Sequence, residues 1–172
     1  VPVLPRAHVK KFIAAISGSF DYPCYNKKMR LVSRITVHQN VDQVWEFLAN
    51  PLNSHKWDKS IARVKLQDPG FVKLGSVIHT ESPSGKKQSF VITQFEPPTL
   101  FAFKLLESSL FKEAELRFSI SKAGEGSHIV HEINLTLKPY LFFAFPLLLL
   151  VSKKALGADL GYLKKALDTF AL

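Results

Sequence analysis

From residue 30 to residue 138 the chain alternates apolar and polar side chains in short runs separated by turn residues. Leu31, Ser33, Ile35 and Val37 share one parity, so 30–38 reads as a first strand. A helix opens at Asn40 or at Val41-Asp42, carries Val44, Trp45, Phe47 and Leu48, and stops at Asn50-Pro51. The stop follows from proline, which pushes the residue before it out of the helical region. A second short helix is expected over 52–57. After it come six further runs of strand type, 61–67, 76–81, 87–95, 100–107, 112–121 and 127–137. They are divided by Asp68-Pro69-Gly70, Ser82-Pro83-Ser84-Gly85, Glu96-Pro97-Pro98 and Gly124-Glu125-Gly126. Short connections between consecutive strands predict an antiparallel meander.

The last element predicted is a long helix over 146–170, with Pro146 in its first turn. Leu149, Leu156, Leu160, Leu163 and Leu167 form its apolar face, and Lys164, Lys165 and Asp168 lie off it. Gly157 and Gly161 each cost ~1 kcal/mol against alanine in a helix interior. Close packing on the sheet or room for a ligand is expected to account for them. An antiparallel sheet must have its apolar face covered, and this helix is the long amphipathic element that can cover it. The expected fold class is α+β: a curved, seven-stranded antiparallel sheet wrapped around a long C-terminal helix, with two short helices after the first strand. Residues 1–28 read as an N-terminal helical extension and 29–172 as the domain. Within the extension Val9, Phe12, Ile13 and Ile16 fall on one helical face, and Gly18 suits its C-cap.

The order of several phrases resembles the START-like (SRPBCC) superfamily of polyketide cyclases/dehydrases and lipid-transport proteins, which share the helix-grip fold. Those phrases are Ile35-Thr-Val, Val41-Asp-Gln-Val-Trp-Glu-Phe-Leu-Ala-Asn-Pro, the isolated Trp57, and Gly70 with Gly75-Ser-Val. Val91-Ile-Thr-Gln-Phe-Glu-Pro-Pro, Gly126-Ser-His-Ile-Val and the closing Leu160-Gly-Tyr-Leu-Lys-Lys-Ala-Leu complete the set. The likeness covers roughly five-sixths of the chain and implies a cavity between sheet and helix. It implies no shared catalytic signature, because function resides in sites grafted onto a fold.

Composition narrows the function classes. The chain has 172 residues, 14 of them Phe, which suits greasy cavity walls as well as cores. One cysteine, Cys24, allows no internal disulfide and points to a reducing, cytoplasmic setting. The sequence begins at Val1 with its single methionine at Met29, which reads as a processing boundary, and an upstream targeting segment stays an open option. The net charge of +9 comes from scattered lysines without interleaved aromatics, so no nucleic-acid partner is expected. The apolar run from Tyr140 to Val151 is shorter than the ~20 residues of a spanning helix. Two readings of the basic N-terminal helix stay open: docking on the domain, and peripheral contact with a membrane surface.

Alternation selects the candidates for chemistry. His131 shares a parity with Ile129, Ile133, Leu135 and Leu137, which places an imidazole on an apolar face. Such a site tunes an acid/base group, and it equally suits a core histidine bonded to a neighbour. With Val77 turned inward, His79 and Glu81 follow it and form an acid/base pair; the opposite register puts both in solvent. The expected ligand wall on the sheet is Phe90, Phe101, Phe103, Leu116, Phe118 and Ile133. Trp57 stands near the mouth, and Phe142, Phe145, Leu149, Leu156 and Leu160 complete the wall from the helix side. At ~25 cal/mol per Å² of apolar surface, such a wall is sufficient for micromolar binding of a lipid-sized molecule. No metal-ligand spacing, phosphate loop or nucleophile elbow occurs, and no cofactor is expected. The function expected is binding of a hydrophobic polyketide, terpenoid or lipid-like molecule. The alternatives are a cofactor-independent enzyme (a cyclase/dehydratase, including pericyclic ring formation, or an isomerase) and a membrane-associated carrier.

Overall fold

The computed structural model describes residues 28–140 and 145–170, with backbone alone for 145–155. The helix expected near residues 9–16 lies outside the described residues. Seven strands, β1 (Lys28–Val37), β2 (Arg63–Leu66), β3 (Val77–Glu81), β4 (Lys87–Glu96), β5 (Leu100–Leu105), β6 (Phe111–Ala123) and β7 (Gly126–Leu137), form one antiparallel sheet. Their order is β1-β7-β6-β5-β4-β3-β2, so the meander runs unbroken from β2 to β7 and β1 closes its far edge. The helices are α1 (Val41–Leu48), α2 (Ser54–Trp57) and α3 (Phe145–Phe170). This is an α+β helix-grip fold.

Local chemistry sets the corners. Asn40 caps α1 through a reciprocal pair: Gln43 N–H donates to the Asn40 side chain at 2.9 Å, and Asn40 N–H donates to the Gln43 side chain at 3.1 Å. The second helix expected over 52–57 is split into a 3-10 turn, Pro51–Asn53, and α2. Proline at the first position favours the tighter turn, and the Asn50 side chain accepts from Leu52 N–H at 3.1 Å. β6 and β7 are joined by Gly124 and Glu125 alone, a two-residue hairpin whose first position, at φ +59°, requires glycine. Gly126 answers a different need: a Cβ there would stand 2.0 Å from the Val37 carbonyl oxygen.

The sheet's inner face meets α3 along Leu156, Leu160, Leu163 and Leu167, all buried. Each fully buried leucine contributes roughly 1.5–3 kcal/mol. Gly157 and Gly161, in contrast, lie on the exposed face, where an added Cβ meets nothing within 4 Å among the described residues. The expectation that sheet packing or a ligand requires them is therefore corrected: they point away from both. The core divides in two. One cluster gathers Val44, Phe47, Trp57, Phe118, Leu160 and Leu163 at the α1 end; the other gathers Met29, Leu31, Leu105, Leu135 and Leu156.

Candidate ligand-binding cavity

A cavity of about 250 Å³ lies between sheet and helices, its wall shared by residues of both core clusters. Cross-strand register builds its floor. Ile92, Phe103, Leu116, Ile133 and Leu31 form one row across β4, β5, β6, β7 and β1; Phe95, Phe101, Phe118, His131 and Ser33 form the next. A bulge at Thr93 lets Ile92 and Phe95 enter the same face although they are three apart, because the extra residue breaks the two-residue period. Alternation alone does not reveal that step.

Of the residues expected to line the wall, Trp57, Phe90, Phe101, Phe103, Leu116, Phe118 and Ile133 do so. Leu156 and Leu160 do not: each is buried in one of the two clusters and is used up in packing. Phe142 lies outside the described residues, as do the side chains of Phe145 and Leu149. His79 and Glu81 are also corrected. Ile78 and Thr80 take the inward positions of β3, so His79 and Glu81 turn to the outer face beside Arg63, Lys65 and Ser89. There His79 Nδ1 lies 2.9 Å from Ser89 Oγ, and Glu81 lies 3.9 Å from Arg63.

His131 stands on the cavity wall within an aromatic stack. Phe101 and Phe118 stack with centroids 5.0 Å apart, and Phe118 and His131 stack at 4.0 Å with planes 10° apart. Trp57 meets the imidazole edge-on at 6.4 Å. The ring is only 3% exposed, and neither nitrogen has a hydrogen-bond partner among the described residues. Burial holds it neutral, pushing its pKa down from 6.5 to about 3. The core-histidine reading assumed a bonded neighbour, and that neighbour is missing among the described residues.

Two carboxylates complete the wall, and neither was singled out from the sequence as part of it. Asp58 follows Trp57 and accepts from Ser60 N–H at 2.8 Å and Ser60 Oγ–H at 2.6 Å, a local turn that orients it. Asp159 projects from α3 between Leu156 and Leu160. Partial burial, reinforced by the negative charge of Asp58, raises its pKa from 3.8 to about 6. A signal for it existed: Asp159 sits three after Leu156 and four before Leu163, on the inward face of the helix. Ser54, Thr80 and Gln88 add neutral polar groups. Among the described residues no cluster of His, Cys, Asp or Glu fits a metal ion.

Residues 28–171 match the family model for polyketide cyclase/dehydrase and lipid transport. The chain belongs to this family. No curated protein matches it at a significant level. Among solved structures, this polyketide cyclase/dehydrase-type chain is similar to the di-domain ARO/CYC BexL from the BE-7585A biosynthetic pathway, at 13% identity over 93% of this chain and 57% of that one, with TM-score 0.64. It is similar also to the di-domain ARO/CYC StfQ from the steffimycin pathway, at 17% identity over 85% and 52%, with TM-score 0.65. The major latex-like protein 151 of Panax ginseng aligns at 18% identity over 74% and 95%, with TM-score 0.55. At identities this low, the structural likeness shows a shared fold alone. The chain spans little more than half the length of the two di-domain proteins. Among the described residues no helix is long and apolar enough to cross a membrane.

Proposed function

We propose that this chain binds a hydrophobic small molecule of the polyketide, terpenoid or lipid-like class in the cavity. The observation that carries the reading is the hollow itself, about 250 Å³ left open between two packed clusters and walled by Phe90, Phe101, Phe103, Leu116 and Ile133. Ligand sites are mostly apolar with a few placed polar groups, and here those are His131, Asp58 and Asp159. The volume falls just below the roughly 300 Å³ at which such sites usually begin, which favours a compact guest. Leu116→Trp places an indole in the hollow. It is expected to weaken Nile red binding by at least about tenfold while the chain stays folded by circular dichroism. Unchanged Nile red affinity in the folded variant removes the cavity from the role.

A second reading is a cofactor-independent cyclase or dehydratase, favoured by an imidazole on the sheet wall and a carboxyl on the helix wall of one hollow. The wall would fold a flexible substrate into a reactive shape, and positioning alone contributes substantially to rate. At neutral pH His131 is too weakly basic to hold a proton for long, whereas Asp159 titrates near pH 6 and suits a general acid. On this reading Asp159→Asn lowers turnover of a poly-β-ketone substrate by about 10²–10⁴-fold and leaves Nile red binding in place. Undiminished turnover in Asp159→Asn removes acid catalysis and leaves shape-driven cyclisation.

A further inference from the structure

Opposite walls of the cavity carry polar groups of different kinds. On the sheet side, His131 is almost fully buried and its two ring nitrogens lack partners among the described residues. On the helix side, Asp159 and Asp58 lie close enough for the charge of one to act on the other. They are the charged side chains that the described residues contribute to this wall. Neither takes part in the salt bridges formed among those residues. Lys59, adjacent to Asp58, holds its ammonium over the Tyr162 ring at 5.2 Å instead.

Resting on the binding role above, we propose that the cavity selects ligands with an apolar body and a protonated amine, the amine seated against Asp159 and Asp58. A neutral polar atom of the same ligand then faces His131 across the hollow. Two carboxylates that repel one another are both relieved by a cation and are further opposed by a third anion. Partial burial strengthens both effects, because fewer waters screen them. The imidazole offers no rescue to an anionic guest: burial keeps it uncharged, so it presents a hydrogen-bonding nitrogen and not a cation. A carboxylate-headed guest such as a fatty acid is thereby disfavoured, although the apolar wall alone would accept its tail.

Proton linkage provides a second signature. Asp58, from the turn after α2, and His131, from β7, are the titratable side chains that share the cavity wall with Asp159 among the described residues, and Asp58 is the charge that acts on it. Because the Asp159 pKa is raised, part of its population holds a proton in mildly acid solution, and a cation arriving beside it expels that proton. A neutral guest expels none.

Three naphthalene probes of similar size separate the outcomes: naphthylmethylamine, naphthylmethanol and naphthoate, titrated by calorimetry into the intact chain. At pH 7.5 the amine is expected to bind about tenfold more tightly than naphthoate, with the alcohol between them. Asp159→Asn, and separately Asp58→Asn, should each shrink that ratio by several-fold and change the affinity for the alcohol by much less. At pH 6, repeating the amine titration in buffers of different ionisation heat should reveal net proton release, which Asp159→Asn abolishes. Naphthoate binding as tightly as the amine, or an unchanged ratio in both variants, overturns the charge selection. If Nile red binds while the amine does not, charge selection falls alone. If neither binds, the binding role itself falls.

Discussion

Phe118→Ala is expected to destabilise the fold by about 3–5 kcal/mol, the range for removing a fully buried aromatic side chain. Phe118 is 1% exposed and stands at the centre of the sheet's inner face. It stacks on Phe101 from β5 and on His131 from β7, and Trp57 meets it edge-on at 5.8 Å. Its removal leaves a void bounded by strands whose register cannot collapse without breaking the β5–β6–β7 ladder. The void adjoins the existing hollow, so Nile red binding should persist in whatever fraction remains folded. Urea unfolding measures the loss, with Phe71→Ala as the control: that ring is 98% exposed, and its truncation should change stability by less than about 0.5 kcal/mol. A loss below about 1 kcal/mol for Phe118→Ala would mean that the aromatic stack carries no packing load.

His131→Leu should move stability the other way, and increasingly so in acid. A buried polar group without partners costs about 1–3 kcal/mol, and leucine of similar volume removes that cost. The forfeited stack on Phe118 is worth about 0.5–1.5 kcal/mol, so the net gain at pH 7.5 is about 1 kcal/mol. Acid then widens the gap. Because the folded pKa of His131 is depressed from 6.5 to about 3, the unfolded chain takes up a proton in that window that the folded chain refuses. Stability supplied above pH 6.5 is therefore lost as pH falls toward 3, at up to about 1.4 kcal/mol per pH unit. The variant lacks that loss. Asp159 has the opposite sign, since its raised pKa favours the folded state in acid, but it is common to both proteins and cancels in the comparison. Parallel stability curves for parent and variant between pH 6.5 and 4 would show that the imidazole is not held neutral.

On the convex face, Arg30 donates to Glu132 at 2.6 Å and Asn134 donates to the same carboxylate at 2.9 Å, a surface network that ties β1 to β7. Screening keeps such exposed pairs weak individually. Register, and with it the row that puts His131 opposite Phe118, comes instead from the buried alternation of β6 and β7.

Periodicity and turn chemistry determined a great deal without any structure. Seven strands, the placement of the turns, the long closing helix with its leucine face, and the inward parity of His131 and of the Phe101–Phe103 pair were legible in the residues. Each is a local signal repeated along several positions. What the sequence left open was decided by contacts far apart in the chain. The inward parity of β3, which sends His79 and Glu81 to the outer face, depends on pairing with β2 and β4. So does the bulge at Thr93 that turns Phe95 inward. Asp159 stayed hidden because one acid on a leucine face reads as a boundary residue until Asp58, 101 positions earlier, is brought beside it. The hollow itself had to come from tertiary structure. Apolar side chains that fill a space and apolar side chains that surround one carry the same pattern, and only the distance between helix and sheet distinguishes them.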